Sequence, residues 1–211
     1  MYQATEGIIL SRKSFGEADR LLTIYTKDYG KITCIGKGVK RPKSRKSGHV
    51  EIASWCKIFV AKGKSLDILT EVELKKSFGH DNLSTAKANK IYHILELVDC
   101  LTPHNQKNAQ VFYLLLSFLK KIGMDENFNL LSSAFKLKLL STLGFFSSGN
   151  LKHSNAKVLL EKFENNNFED LKENLNINDQ GYLKLLAFLD SIIEDVTEHK
   201  LKTNKFLNAS I

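Results

Sequence analysis

The segment Gly36–His49, GKGVKRPKSRKSGH, gathers Lys37, Lys40, Arg41, Lys43, Arg45 and Lys46 without one acidic residue. Cations at this density suit the neutralisation of phosphates, which releases the counterions condensed on a nucleic acid. Residues 1–80 carry 16 Lys and Arg against 8 Asp and Glu, whereas residues 81–211 carry 15 of each. The formal net charge of +8 therefore belongs to the first 80 residues. Such asymmetry points to nucleic acid or an anionic membrane surface, with a solvated basic loop as the bland alternative. Arg20, together with Arg12 and Lys13, extends the basic surface along the chain.

No constellation for bond chemistry accompanies these cations. HExxH, GxSxG and zinc-ligand spacings do not occur, and the six His are scattered. The stretch GKITCIGKG, Gly30–Gly38, fails as a phosphate-cradling P-loop because five residues separate Gly30 from Gly36 and Gly follows Lys37. Gly36 and Gly38 read instead as a bulge or a close backbone approach. Glu17 and Asp19 read as turn residues that pair with Arg20 rather than as an acid/base couple. Cys34, Cys56 and Cys100 are odd in number, far apart and without CxxC spacing, so they read as buried thiols or bystanders. The expectation is a chain with no catalytic residues, no metal and no cofactor.

These residues need a scaffold, and hydrophobic periodicity supplies one. Leu22, Ile24 and Thr26 alternate with Thr23 and Tyr25, and Leu66, Ile68, Val72 and Leu74 oppose Asp67, Glu71 and Glu73. Runs over Thr5–Lys13, Lys31–Lys37 and Ile52–Lys62 share that period of two. Turn signals fall at Phe15-Gly16, Asp28-Tyr29-Gly30, Arg41-Pro42 and Gly63. About five short strands in residues 1–80 suit a closed OB-fold barrel, which leaves no exposed edge and is a common oligonucleotide platform.

Residues 81–211 change to a helical period. Ser84 is positioned to cap a helix bearing Ile91, Ile94, Leu95, Val98 and Leu101 that Pro103 ends. A second helix, Lys107–Ile122, is apolar on most sides and reads as the centre of a bundle. A third runs from Asn129 to Leu143, and a last one places Tyr182, Leu185, Leu186, Leu189, Ile192, Ile193 and Val196 on one face. Lys152–Asn178 reads as shorter helices and loops. The fold class is thus α+β, a barrel followed by an all-α bundle.

Among the N-terminal aromatics, Trp55 and Phe59 share a parity and read as core. Tyr25 and Tyr29, near a turn beside basic residues, are the candidates for stacking on bases.

The strings TEGIIL, SFGEADRLLTIYTKDYGKI, GKGVKRPKSR and SLDILTEVEL, in this order and at these spacings, resemble the bacterial recombination mediator family RecO. AFKLKLLSTLGFF (residues 134–146) and HKLKTNKFL (residues 199–207) are weaker similarities further on. The resemblance implies an OB-fold followed by a helical domain, binding of single- and double-stranded DNA, annealing of complementary strands, and action with RecR to load RecA on DNA coated by single-strand binding protein, SSB. Many family members carry a four-cysteine zinc site after the leucine-glycine-aromatic step. Here the corresponding SSGNLKHSNAK contains no Cys, so no zinc is expected.

Annealing requires phosphate neutralisation with base edges left free, which nonspecific contacts from Lys37, Lys40, Arg41, Lys43, Arg45, Lys46 and Arg20 would supply. The basic loop is expected to be mobile until bound. For the acidic tail of SSB, an apolar groove edged by Lys136, Lys138, Lys184, Lys200, Lys202 or Lys205 is the expected kind of site. A protein-interaction scaffold and an RNA-binding OB protein are the competing functions. Met1–Gly7 is polar, the apolar run Ile8–Leu10 is too short for a signal peptide, and no stretch is long enough to span a membrane, so the expected location is the cytoplasm, with the nucleoid during repair.

Overall fold

A computed structural model of the chain describes residues 2–44, 46–79, 84–122, 128–147, 161 and 179–204. Five strands, β1 (Tyr2–Phe15), β2 (Asp19–Thr26), β3 (Gly30–Gly36), β4 (Ser54–Ala61) and β5 (Asp67–Ser77), close in the order β1-β2-β3-β5-β4. The barrel seals where β5 runs parallel to β3 at Cys34 and Ile35, while the other neighbours are antiparallel. This is the expected OB-type barrel, and closure leaves no strand edge to recruit another chain.

Alternation explains the inside of the barrel. Leu22, Ile24, Ile32, Cys34, Cys56, Ile58 and Val60 all point inward and are buried. Breaks in register alter the simple pattern. In β1 alternation puts Ile9 inside the barrel and Ile8 and Leu10 toward the helices, and the register then slips between Ile9 and Ser11. That double-sided burial accounts for the apolar run Ile8–Leu10. In β5 the register slips opposite Phe59 and Val60, so Leu69 pairs with Val60 and enters the interior in place of Ile68.

The parity expected for β4 is corrected by the same geometry. Cys56, Ile58 and Val60 fill the barrel, and Trp55 and Phe59 lie on its outside. Trp55 packs against the helical core, its Nε1 donating to Glu6 at 3.0 Å and its ring lying between Lys75 and Lys120 at 5.1 and 5.2 Å. Phe59 is only half-buried, under the Lys57 ammonium at 5.3 Å.

Among the described residues four helices have defined bounds: α1 (Thr85–Leu101), α2 (Ala109–Ile122), α3 (Phe128–Thr142) and α4 (Asp179–Thr197). Ser84 caps α1 by accepting from the Lys87 N–H, and the Asn108 side chain caps α2 through the N–H groups of Gln110 and Val111. The most enclosed helix is α3, not α2, because α3 buries polar Ser132, Ser133 and Lys136 alongside its apolar residues. Phe118 of α2 meets Phe135 of α3 edge-on at 4.9 Å. Lys152–Asn178, read above as shorter helices and loops, lies outside the described residues except for Glu161.

Barrel and helices share one apolar cluster. Ile8, Leu10, Tyr25 and Ala53 belong to the same core as Val98, Phe112 and Leu137. The β2–β3 turn locks this junction: Gly30 has φ +68° and packs so closely that a Cβ there would lie 1.9 Å from the Gln106 carbonyl oxygen. Asn105 donates its N–H to the Lys31 carbonyl at 2.8 Å, and Lys31 Nζ, buried, meets the Asp99 carboxylate at 3.1 Å.

Candidate nucleic-acid interface

Among its described residues the cationic segment forms hydrogen-bonded turns at one end of the barrel. Val39 and Val50 are fully buried and join the barrel interior. At the first end, Gly38, with φ +66°, donates its N–H to Asp19 Oδ1 at 2.7 Å, and Lys40 donates its N–H to the Ala18 carbonyl at 2.9 Å. Further bonds run from the Arg41 N–H to Gly38 and from the Ser44 N–H to Arg41, before a short 3-10 turn at Ser47–His49. At the far end, His49 Nδ1 meets the Val72 carbonyl at 3.2 Å, and Cys56 Sγ donates to the His49 carbonyl at 3.1 Å. Both ends of the loop, expected to be mobile until bound, are hydrogen-bonded to the barrel.

The structure sorts the expected phosphate contacts into two groups. Lys37, Lys40, Arg41 and Lys43 are exposed, and among the described residues none of the four pairs with a carboxylate. Lys46 is different: its Nζ turns inward to the carbonyls of Leu69 and Thr70 at 3.4 and 3.3 Å, beside the β5 bulge. Arg20 also carries a structural load, because Glu51 Oε1 accepts from it at 3.2 Å and holds Arg12 as well. Its partner is Glu51 and not the turn residues Glu17 or Asp19, because Asp19 is committed to the Gly38 N–H. Arg45 lies outside the described residues. Lys13, on the end of β1, is exposed and stands with the first group.

The stacking candidates are corrected as well. Tyr25 is 1% exposed, sits in the junction core and donates its hydroxyl to the Asn108 carbonyl at 3.2 Å. Burial pushes its phenol up to about 12, and no base can reach its ring. Tyr29 packs half-buried against the barrel interior, with its N–H bonded to Thr26 Oγ1. The aromatic side chain that does stand beside the free cations is Phe15, 44% exposed at the end of β1. Lys40 Nζ reaches the carbonyl of the next residue, Gly16, at 3.4 Å. Sequence reasoning passed over Phe15 because it precedes a turn glycine and so reads as punctuation; the signal was its place at the end of an alternating strand.

The three cysteines are accounted for by their places in the fold. Cys34 and Cys56 line the barrel interior, where desolvation raises both thiols to about 12. Cys100, on α1, is exposed and not a buried thiol, and among the described residues no group of three His, Cys, Asp or Glu is placed to hold a metal ion. What the arrangement can do is hold a polyanion against a rigid barrel end.

The residues 1–78 match the family Recombination protein O N terminal, and residues 91–150 match Recombination protein O C terminal. The chain belongs to the RecO family. Relatives named DNA repair protein RecO include those of Pelotomaculum thermopropionicum, 31% identical over 145 residues, and Symbiobacterium thermophilum, 33% identical over 141 residues. These alignments cover 69% and 66% of this chain and 56% of each relative. The Desulfitobacterium hafniense relative is 33% identical over 145 residues, 52% of its own length. The chain thus spans a little over half the length of these curated relatives. The matched relatives are named DNA repair proteins, and the barrel end described above lies wholly within the N-terminal match. The thiolates of the zinc site found in many RecO proteins have no counterpart here: SSGNLKHSNAK has no Cys, and beyond Ser147 it lies outside the described residues.

Proposed function

We propose that this protein is a DNA repair and recombination mediator that binds single- and double-stranded DNA, anneals complementary strands and, with RecR, promotes RecA loading on SSB-coated single strands. The observation that carries this reading is the group of Lys37, Lys40, Arg41 and Lys43, all exposed and unopposed by a carboxylate among the described residues, on a hydrogen-bonded turn. Two polyanionic strands repel one another. Cations that neutralise phosphates lower that repulsion without touching base edges, which stay free to pair. No bond is made or broken in this process, and the protein acts as a non-enzymatic mediator. We place DNA binding in residues 1–80 and the helical unit in residues 81–211, with the cytoplasm and the nucleoid under repair as the site of action.

The helical unit is the proposed site for the SSB tail, but its lysines are not equivalent. Lys136 is 2% exposed and bonded to Asp190 at 2.5 Å, so it edges no groove. Lys184, Lys200 and Lys202 are exposed, Lys138 is half-buried, and Lys205 lies outside the described residues.

The test is a variant with Lys37, Lys40, Arg41 and Lys43 all changed to Glu, compared with the parent in salt-dependent anisotropy and strand-annealing assays. Loss of four phosphate contacts is expected to flatten the slope of log affinity against log salt by roughly three to four for single or double strands. Annealing should fall in parallel, and the same assay on SSB-coated strands with RecR reads the mediator step. Unchanged affinity and slope would remove the site. Equal retention of an acidic protein partner without annealing would favour the scaffold, and a preference for matched single-stranded RNA would favour an RNA-binding protein.

A further inference from the structure

The outer face of β1, β2 and β3 is divided across its middle. One half is covered by helices: Ile8, Leu10 and Tyr25 are in the junction core, and Lys31 is held by Asp99. The other half is open. Lys13 pairs with Leu21, which pairs with Ile35, and Phe15 pairs with Asp19, all in antiparallel register. Because Leu22 and Cys34 point into the barrel, their neighbours Leu21 and Ile35 must point out, and cross-strand partners share a side. Leu21 and Ile35 are half-buried and Phe15 is exposed, so the open half is an apolar shelf with an aromatic ring at its rim.

Charge surrounds that shelf. Lys13 lies on it, and the exposed Lys37 and Lys40 flank it where Gly38 and Lys40 bond to the β1–β2 turn. Glu17, on that turn, is the one exposed carboxylate close in the chain. An apolar shelf rimmed by cations suits a ligand with flat apolar faces and phosphates at a short separation. An unpaired nucleotide strand has both, whereas a duplex hides its base faces in its own stack.

We infer that this open half-face is a base-stacking platform, anchored by Phe15, that makes the barrel end prefer unpaired strands over duplex. The inference rests on the DNA-binding reading proposed above. Phe15 stacks on a base displaced toward the shelf, Leu21 and Ile35 form its floor, and the cationic turn holds the adjoining phosphates. Duplex DNA uses the cationic turn alone. The covered half of the face sets the limit of the platform, because the junction leaves no room for a strand to continue over Tyr25.

Phe15→Ala in the full chain tests it, with Phe15→Tyr as the conservative control. Stacking against one base predicts single-strand affinity about tenfold weaker for Phe15→Ala, with duplex affinity within about twofold of the parent. The salt slope should not move, since no phosphate contact is lost. Phe15→Tyr should restore single-strand binding, and an unchanged thermal midpoint shows that an exposed side chain was removed without loss of fold. Equal weakening for both DNA forms, or no weakening for either, overturns the platform. If Phe15→Ala is silent while the four-residue Glu variant loses binding, only the stacking inference fails. If the Glu variant also binds normally, the DNA reading fails with it.

Discussion

Lys40 and Lys136 carry the same head group in opposite surroundings. Lys40 stands in solvent on the barrel end, where its charge can meet a partner from outside. Lys136 is enclosed by the helices and, among the described residues, answered by Asp190. Desolvation holds the Lys136 ammonium below its ordinary range, although Asp190 opposes that shift. Near it on α1, His93 is fully buried, and burial followed by the Lys136 charge depresses its imidazole to about 3. The comparison separates two uses of charge: at the barrel end solvated and free to exchange its counterion, in the helical core desolvated and bound to one carboxylate.

The strongest way to break the comparison is to remove the one carboxylate. Asp190→Ala is expected to cost about 3 kcal/mol in urea denaturation, toward the low end for a broken buried pair because Asp190 itself keeps some access to water. Lys136→Met removes the enclosed charge along with its need for a partner and should be near neutral. If Asp190→Ala proves as mild as a surface change, the pair does not govern the core.

Acid attacks the same region. Between about pH 6.5 and pH 3 the unfolded chain protonates His93 while the folded chain does not, so the unfolded state binds more protons across that window. Stability is therefore expected to rise with pH there and to drain away as pH falls. His93→Gln should flatten that part of a stability-versus-pH curve, and an equal slope in both proteins would refute the assignment. A smaller effect sharpens the boundary between the regions. Tyr25→Phe removes the hydroxyl bond to Asn108 at the junction and should cost about 1 kcal/mol while leaving DNA binding unchanged. A selective loss of single-strand affinity instead would return Tyr25 to the binding surface.

Much of this arrangement was legible in the residues. The period of two placed Leu22 and Ile24 inside a barrel, Ser84 announced its helix, and the unopposed cations of the 36–49 segment marked the barrel end. What was missed depends on neighbours distant in sequence. Alternation assumes an unbroken ladder, so the β5 bulge exchanged Ile68 for Leu69, while the helices buried the outer side of β1 as well. Tyr25 read as exposed because a strand pattern does not say which outer faces a later helix will cover. Lys46 read as a free cation and Arg20 as a partner of Glu17 and Asp19, because the carbonyls of Leu69 and Thr70 and the Glu51 carboxylate come near them only on folding. Polar Ser132, Ser133 and Lys136 disguised the most enclosed helix.

The bonds at Gly38 and Lys46 also define a module that can be exchanged. The first is fastened to Asp19 and the second to the bulged part of β5, so the residues between them can change in number without shifting the register of any strand. Lengthening a loop between fixed ends costs only slowly increasing closure entropy. The reach of this basic surface is thus adjustable by insertion in that interval, making it the place in the barrel to graft a longer or differently charged segment while the rest of the fold is kept.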